Sequence, residues 1–390
     1  MKLTVFVWSF IAVSSRRVRL LVRDHPSGAA AAAEGHFDLA LQGAAAIDRR
    51  DREVIHVWRR PEGPATVIVE VRSMTQSVPI KTAPSGMDAG DATARLADVI
   101  AAVEGQLLGR RAAVEMALAC ILADGHLLIE DAPGSGKTSL SAALAAALGL
   151  EFQRVQCTND LLPADITGLS VFDRDSASFS LREGPVFTQM LLADELNRAP
   201  SKTQSALLQA MEERAVTIDR ETRPLPRPFL VIATQNPAEQ IGTFDLPESQ
   251  LDRFSLSMEI GRPDHDIQAE ILSGQQERDA RPVTPVMTAD DLLAIQMTVR
   301  GLAAAPEVVG YALRLADAME ARTAVNLSVR FRSQLLRLAK ASAVIRNRDF
   351  VAPDDVQAMF LPALRHRLTR VEAGARADLV GAALSDTPLP

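Results

Sequence analysis

A glycine-rich stretch, APGSGKTS, contains the residue types that hold nucleotide phosphates. In the phosphate-binding pattern GxxxxGK[ST], backbone N–H groups surround phosphate oxygens, the lysine reaches the β- and γ-phosphates, and the hydroxyl binds magnesium. Lys137 and Thr138 fill the last two roles. The sequence therefore predicts a site for a nucleoside triphosphate with Mg²⁺, formed by Asp131, Pro133, Gly134, Ser135, Gly136, Lys137, Thr138 and Ser139.

Asp131 occupies the position where the general pattern has its first glycine. We interpret it as a residue in an unusual backbone conformation, because Asp and Asn tolerate positive φ better than most residues. The cost, about 1 kcal/mol, is too small to abolish binding. Asp131 therefore stays in the predicted nucleotide site.

The sequence on either side of this loop fits a phosphate site. The apolar run HLLIE predicts a strand before the loop, and the Ala- and Leu-rich run KTSLSAALAAALGL predicts a helix that closes at Gly149. A helix that begins at the loop would direct its free N–H groups at an anion. A chance glycine-rich turn would require neither element, so we favour the phosphate loop.

An acidic pair, Asp194 and Glu195, lies at the end of the apolar run MLLADEL. Alone, it could be a solvated strand end. Ligands of parallel sheets bind at the carboxyl ends of the strands, so we expect the pair beside the phosphate loop. Asp194 would then hold Mg²⁺ together with Thr138, and Glu195 would orient an attacking water. The pair therefore predicts hydrolysis of the bound nucleotide.

Helix and strand patterns alternate from Ala94 onward and predict an α/β fold. The runs HLLIE, EFQRVQC, MLLADEL and FLVIATQNP indicate strands of a parallel sheet that is covered by helices on both faces. Ser201 to Gln204 has capping-box spacing and predicts the start of the helix SALLQAMEE. After GRPDHD the pattern is amphipathic and helical, which predicts a small all-α bundle.

Composition excludes several function classes. The chain has 390 residues, room for two compact domains, and its formal net charge of −7 does not favour nonspecific nucleic-acid binding. Cys120 and Cys157 match no metal-ligand spacing and are predicted to be buried residues of a reducing compartment. No apolar run reaches the roughly 18 residues that span a bilayer.

The first 88 residues differ from the rest. They contain both tryptophans and an alanine tract, and the stretch TQSVPIKTAPSGMDAGDAT predicts a linker near residues 74–92. The opening MKLTVFVWSFIAV resembles a signal peptide, but export would separate an ATP-dependent enzyme from ATP. The alternatives are a true translation start at Met74 or Met87, or a real N-terminal appendage.

Longer strings resemble one family. The segments LLPADITG, REGPVF, LLADELNRAPSKTQSALLQAMEE, ATQNP and LPESQLDRF resemble the MoxR family of AAA+ ATPases, close to the magnesium-chelatase ATPase subunits. The resemblance extends from about Leu107 to about Leu368. It implies ATP and Mg²⁺ as ligands, an AAA+ sheet with a helical lid, and a hexameric ring of identical subunits. Because the family often carries Asp at the position of Asp131, the resemblance implies a family variant there.

The resemblance also implies roles outside the phosphate loop. Asn236 matches sensor 1, a polar side chain that bonds the γ-phosphate or the water, and Arg253 matches the arginine finger that enters a neighbour's site. Arg330 matches sensor 2 in the lid, which would carry it over the nucleotide, although Arg332 is an alternative. The family usually has Pro where this chain has Val329, so we expect a freer turn before that helix.

The implied function is that of a cytoplasmic, chaperone-like remodeler of partner proteins. Its partners would include a protein with a von Willebrand factor A domain, while the client stays unknown. A nucleotide-gated scaffold without turnover and a magnesium-chelatase-type subunit remain alternatives. A ring helicase would need basic surfaces on which bases stack. A threading unfoldase would need an aromatic pore loop, and none is evident between Thr158 and Pro185. The expected domains are an N-terminal extension of uncertain structure (1–88), the AAA+ core (89–262), the lid (263–375) and a tail (376–390).

Overall fold

The computed structural model describes residues 53–59, 67–73, 87–174, 178–236, 242–273, 282–323, 325–369 and 371–390. The chain divides into two compact units, Met1–Ala83 and Pro84–Pro390. In the first, β1 (Glu53–Arg59) pairs antiparallel with β2 (Val67–Ser73). The apolar opening, the alanine tract and most of the predicted linker lie outside the described residues.

The second unit contains the remaining elements. Its strands are β3 (Leu127–Glu130), β4 (Phe152–Gln156), β5 (Gly168–Asp173), β6 (Ser178–Glu183), β7 (Met190–Asp194), β8 (Ala215–Ile218), β9 (Glu221–Pro224), β10 (Leu230–Gln235) and β11 (Leu256–Met258). Its helices are α1 (Ala89–Glu104), α2 (Arg111–Leu122), α3 (Lys137–Ala147), α4 (Pro163–Thr167), α5 (Ser201–Glu213), α6 (Glu248–Leu251), α7 (His265–Leu272), α8 (Ala289–Gly301), α9 (Pro306–Thr323), α10 (Val329–Ile345), α11 (Pro353–Leu364) and α12 (Ala373–Asp386), with 3₁₀ turns at Leu196–Arg198 and Arg365–Arg367.

Five strands form one parallel sheet in the order β11-β3-β10-β7-β4. Successive residues of a strand face opposite sides of a sheet, and β3 follows this rule. Leu127 and Ile129 join a cluster with α1, α2 and α3, whereas Leu128 joins a cluster with α5. Both faces are therefore covered by helices, which confirms the predicted α/β fold. Two antiparallel hairpins, β5–β6 and β8–β9, complete the core.

The lid is a bundle of helices, as predicted. Leu335 and Leu338 of α10 and Phe360 of α11 belong to the same apolar cluster as Leu127 of the sheet. The segment set apart as a tail is instead mostly helical, because Val380 and Ala383 of α12 are buried in this cluster. Among the residues that the structure describes, no helix combines the length and apolarity needed to cross a membrane.

Two predicted helix ends have different outcomes. Gly149 closes the helix after the phosphate loop with φ +63°, and a Cβ there would lie 2.4 Å from the Met287 carbonyl oxygen. Only glycine fits this turn. The predicted capping box at Ser201 is wrong, because Pro200 is the N-cap and makes no side-chain cap. Gln204 instead donates to the carbonyls of Leu196 (3.3 Å) and Phe244 (3.0 Å).

Candidate active site

The phosphate loop joins β3 to α3. Gly134 and Gly136 have φ of +79° and +92°, so both need the left-handed freedom of glycine. Gly136 is the N-cap of α3, and the first intrahelical bond runs from Leu140 N to Gly136 O (2.9 Å). The N–H groups of the preceding turn have no partner within the helix. The loop therefore has the donors and the dipole that bind phosphate.

Lys137 and Ser135 fit a bound triphosphate. Lys137 Nζ donates to the carbonyl oxygens of Asp131 (2.5 Å) and Ala132 (3.0 Å), which are neutral acceptors that a phosphate can replace. Within the described part of the chain, the buried Ser135 Oγ has no hydrogen-bond partner. A positive charge held by weak acceptors and an unused hydroxyl in the same loop are the donor set that an anion requires.

Asp131 does not have the positive φ that we expected. The described non-glycine residues with positive φ are Asp124, Glu195, Arg214, Asp219, Arg220 and Asn347. The reason for aspartate is its side chain. Oδ2 accepts from the backbone N–H groups of Ile260 and Gly261 (both 2.9 Å), and Oδ1 accepts from Ala132 N (2.7 Å). Its carboxylate therefore binds the protein backbone and does not serve as a phosphate ligand.

The acidic pair lies at the carboxyl end of β7, held by a residue that the sequence did not single out. Thr234 Oγ1 of the neighbouring β10 donates to Asp194 Oδ1 (2.6 Å) and accepts from Glu195 N (2.8 Å). Arg154 of β4 pairs with Asp194 Oδ2 at 2.7 Å. Asp194 is only 7% exposed, so its charge needs these partners.

Glu195 has a left-handed backbone, with φ +57°. Its Oε2 accepts from Gln156 Nε2 (3.1 Å) and from Arg198 Nη1 (3.0 Å). A non-glycine residue at positive φ carries strain that the surrounding contacts must compensate, and such residues cluster at active sites. Glu195 is therefore held in one orientation at the strand end, as a group that aims a water must be.

The oxygen ligands beside the loop suit Mg²⁺ that is bound together with phosphates. Mg²⁺ commonly uses one or two protein oxygens and completes its shell with phosphates and waters. Thr138 and Asp194 supply a hydroxyl and a carboxylate. No cluster of three or more His, Cys, Asp or Glu side chains that could hold a metal occurs among the described residues. The donor set therefore fits magnesium brought with a nucleotide.

Asn236 lies immediately after β10 and is 9% exposed. Residues two apart along a strand share a face, so Asn236 continues the side from which Thr234 contacts the acidic pair. The register pairs Ala233 with Ala193, which sets the end of β10 beside Glu195. The predicted sensor-1 residue thus lies at the same edge as the phosphate loop.

The two predicted arginines lie together at the opposite, amino edge. Glu212 of α5 binds both, with Arg253 Nη1 at 2.7 Å from Oε2 and Arg330 Nη2 on Oε1. They line a cavity of about 380 Å³ with His126 and Ser255, which directly precede β3 and β11. The four residues of β3 separate this edge from the phosphate loop by about 13 Å.

This position corrects the expectation for the lid arginine. Arg330 does not lie over the phosphate loop of its own subunit, because α10 presents it to the amino edge beside Arg253. Arg332, the alternative, is bound within the lid by Asp317 (2.7 Å) and Glu320 (3.0 Å). The turn before α10 is not freed by Val329 either, because Ser328 caps the helix by accepting from Phe331 N (3.1 Å).

Arg367 is a further residue that sequence reasoning missed. It is 6% exposed and binds both sides of Arg253, through Asp252 Oδ1 (Nε, 3.0 Å) and the Phe254 carbonyl (Nη2, 3.1 Å). A buried guanidinium needs such partners. The lid therefore fixes the segment that carries Arg253. No local pattern in the sequence pointed to this contact across 115 residues.

His126 supports the same edge as a neutral group. Its Nδ1 accepts from Val231 N (3.0 Å), so Nε2 carries the proton and donates to the Met211 carbonyl (3.2 Å). Burial, reinforced by Arg214, lowers the pKa of His126 to about 3. Both cysteines are also buried, as predicted, and burial raises the pKa of each thiol.

The hairpin β5–β6 carries an aromatic pair that we did not expect. Phe172 and Phe179 are 50% and 73% exposed and make an edge-to-face contact with ring centroids 5.2 Å apart. Both lie between Thr158 and Pro185, the segment in which the sequence alone showed no sign of an aromatic pore loop. The two rings are separated by six residues in the sequence, so only the cross-strand register brings them together.

Comparisons with known proteins agree with this geometry. Residues 126–256 match the ATPase family associated with various cellular activities (AAA), and residues 316–384 match the AAA lid domain. The chain is 37% identical to Chaperone MoxR1 of Mycobacterium tuberculosis over 275 residues, which cover 67% of this chain and 72% of the relative. It is 40% identical to the uncharacterized protein YeaC of Bacillus subtilis over 265 residues, which cover 67% of this chain and 83% of YeaC.

A solved structure from Cytophaga hutchinsonii has the same fold. Its TM-score is 0.69 at 33% identity, and the match covers 77% of this chain and 97% of that one. The matched regions contain the phosphate loop, the acidic pair and the lid. The chain therefore belongs to the MoxR family of AAA ATPases, which makes it an ATP-hydrolysing enzyme with a chaperone-like function.

Proposed function

We propose that copies of this chain assemble into a ring in which each ATP lies between two subunits. The carboxyl edge of one sheet would supply the phosphate loop, and the amino edge of the neighbour would supply Arg253 and Arg330. The observation that carries this proposal is the shared Glu212, which holds both arginines at the edge opposite their own loop. A hexamer is the ring that resemblance to the family implies.

The carboxyl edge would bind and orient the nucleotide. Lys137 would leave the Asp131 and Ala132 carbonyls for the β- and γ-phosphates. Mg²⁺, held by Thr138 and Asp194, would neutralise charge on the phosphate oxygens. The backbone N–H groups at the start of α3 would bind the same phosphates.

Hydrolysis would then depend on groups that aim a water and offset charge. Glu195 would orient the attacking water, with its carboxylate positioned by Gln156 and Arg198. Asn236 would hydrogen-bond the γ-phosphate or that water. Arg253 of the neighbour would offset the charge that develops on the transferred phosphoryl group, since phosphates compete with Glu212 for the guanidinium.

Mixing two inactive variants tests the shared site. Arg253→Ala and Glu195→Gln should each be nearly inactive. When their subunits exchange, some interfaces combine an intact Glu195 on one side with an intact Arg253 on the other. ATPase activity of the mixture, measured by phosphate release, should therefore exceed the sum of the two separate proteins.

The matched control mixes Glu195→Gln with Lys137→Ala. Both changes damage the carboxyl edge, so no arrangement of subunits contains a complete site, and activity should stay at the sum. A mixture of Arg253→Ala and Glu195→Gln with no gain, after subunit exchange is confirmed by fluorescence transfer between labelled subunits, would contradict a finger that acts between subunits.

The cellular role follows from the family. The chain would remodel or activate partner proteins in the cytoplasm, with a von Willebrand factor A-domain protein among its partners. The exposed Phe172 and Phe179 are compatible with contact to another polypeptide. The net charge of −7 disfavours nucleic acid as the client.

A further inference from the structure

The Asp131 carboxylate links the phosphate loop to the core–lid connector, which we define as residues 259–264 between β11 and α7. Oδ2 accepts from the N–H groups of both Ile260 and Gly261 at 2.9 Å. Oδ1 accepts from Ala132 N at 2.7 Å, inside the phosphate loop. One side chain therefore bonds to both segments through three charge-assisted hydrogen bonds, which are stronger than neutral ones.

The connector is also held from its other side. Arg110, which precedes α2, donates to the Ile260 carbonyl oxygen at 3.3 Å. Gly261, whose N–H also binds Asp131, has φ +76°, a conformation that favours glycine. The Asp131 carboxylate thus binds the N–H group of Ile260, and the Arg110 guanidinium binds its carbonyl oxygen. These two contacts fix the position of this part of the connector.

The first lid helix packs close to the same place. A Cβ at Gly109 would lie 2.4 Å from Ile267 Cδ1 of α7, so α7 lies directly on the backbone before α2. Leu107 in that segment would be 3.7 Å from a Cβ at Gly136 of the phosphate loop. The loop, the segment before α2, the connector and α7 are therefore in continuous contact.

The backbone of Asp131 contacts the lysine of the phosphate loop. Its carbonyl oxygen receives Lys137 Nζ at 2.5 Å, the shorter of that lysine's two contacts. A nucleotide that attracts Lys137 would remove this bond, while the Asp131 side chain would keep its bonds to Ile260 and Gly261. A shift of the Asp131 peptide would then be passed to the connector.

We propose that Asp131 is a positioning residue that couples occupancy of the phosphate loop to the connector and, through it, to the lid. This rests on the proposed function and deepens it, because the lid carries Arg330, one of the two arginines offered to a neighbour, and Arg367, which holds the segment of the other, Arg253. The coupling itself requires only nucleotide binding, so it can be tested without a ring.

Hydrogen exchange of the connector tests the coupling. In the full chain, the amides of Ile260 and Gly261 should be protected, and addition of ADP should change their exchange. In Asp131→Gly, which restores the glycine of the general pattern, exchange in a peptide covering residues 259–264 should be about tenfold faster. It should no longer respond to ADP, while ADP affinity stays within about threefold of wild type.

Turnover supplies the second readout. Asp131→Gly should lower kcat about three- to thirty-fold, the range of coupling effects, with KM for ATP nearly unchanged. Asp165→Asn is the matched control, because Asp165 Oδ2 also accepts a backbone N–H, that of Leu162 (2.8 Å), in α4 and away from the connector. The control should leave both the exchange of residues 259–264 and its response to ADP unchanged.

Three outcomes decide the proposal. The proposal is supported if hydrogen exchange of residues 259–264 in Asp131→Gly no longer responds to ADP while the affinity for ADP is retained. A normal ADP response in Asp131→Gly overturns it, and so does a loss of ADP affinity as large as that of Lys137→Ala, since Asp131 would then serve binding alone. If Asp131→Gly does not fold, Asp131→Asn, which keeps one acceptor oxygen, is judged by the same criteria. Failure of the ring would appear in the mixing experiment and would leave the exchange measurement unaffected, since exchange with ADP needs no neighbour.

Discussion

The two edges of the central sheet carry charge in different ways. At the carboxyl edge, Lys137, Asp194 and Glu195 each already have a partner in their own subunit. At the amino edge, Arg253 and Arg330 share a single carboxylate, that of Glu212. The hydrogen bond from Arg330, together with the positive charges of Arg253 and Arg330, keeps the pKa of Glu212 below its usual value.

In the proposed ring, the carboxyl edge is a receiving edge, which binds the nucleotide, and the amino edge is a donating edge, which supplies Arg253 and Arg330 to the neighbour. A ligand that binds Lys137 or Asp194 at the carboxyl edge must replace the protein partners of these side chains. These partners also hold the side chains in place before the ligand binds. At the amino edge two positive charges face one negative charge, and within the described residues the buried Arg253 Nε has no partner. The side chains of Arg253 and Arg330 are 26% and 45% exposed, so an anion that arrives from outside can reach both guanidinium groups. In the proposed ring, the phosphates bound by the next subunit would be such an anion.

The largest expected effect comes from the donating edge. Arg253→Ala should lower ATP turnover by about 10³ to 10⁵, or roughly 4 to 7 kcal/mol of barrier, as removal of an arginine finger does elsewhere. ATP affinity should be nearly unchanged, because the phosphate loop is intact. Steady-state kinetics and a fluorescent-nucleotide titration check the two parts. Arg223→Ala, which removes an exposed hairpin arginine paired with Glu221, is the control and should leave both values unchanged.

A smaller effect is expected at the receiving edge, and it concerns ATP affinity instead of turnover. Lys137→Ala should weaken ATP binding by about 10- to 100-fold, the effect of losing a hydrogen bond to a charged group. Isothermal titration with ATP and Mg²⁺ measures it. Equal affinity of Lys137→Ala and wild type would contradict the assignment and leave the two edges without the contrast described here.

The smallest effect concerns pH and the amino edge. The folded-state pKa of His126 is about 3, below the ordinary 6.5, so the unfolded chain binds more protons between these values. Stability from the neutral ring is therefore complete above pH 6.5 and is lost as pH falls toward 3. At pH 5.5 the loss should be about 1.4 kcal/mol.

His126→Gln removes this titration while it keeps an acceptor and a donor. Urea unfolding at pH 7.5 and pH 5.5 should show a smaller pH dependence in the variant than in wild type. Comparing the two proteins cancels the contributions of carboxylates, which have the same sign. An equal pH dependence in both proteins would mean that His126 is not held neutral.

The receiving edge could be predicted from sequence because its chemistry is local. The phosphate-loop residues lie between Asp131 and Ser139, and Asp194 and Glu195 are adjacent, so short patterns contain the site. The structure brings these groups to one edge of the predicted parallel sheet. Arg154, Gln156 and Thr234 were missed because their roles come from strand neighbours and not from their own pattern.

At the donating edge, the family resemblance pointed to Arg253 and Arg330, but their shared partner and their position could not be predicted from one sequence. The contact of Arg330 with Glu212 spans 118 residues. The same difficulty arises at the phosphate loop, where the contact of Asp131 with Gly261 spans 130 residues. Asp131 does belong to the phosphate loop, but not because of a positive φ. The local sequence contains no sign of its side-chain bonds to residues 260 and 261, so only a backbone explanation could be inferred from it. Phe172 and Phe179 were overlooked for the same reason, because hairpin register makes them neighbours.

The shared apolar cluster of sheet and lid has a consequence for folding. Because Leu335 and Phe360 of the lid pack in the same cluster as Leu127 and Leu144 of the core, the core and lid should unfold as one cooperative unit. A lid that moved independently of the core would need a separate apolar cluster of its own. We therefore expect the lid to move by small sliding of packed helices, the shear type of conformational change, and not by swinging open as a rigid flap.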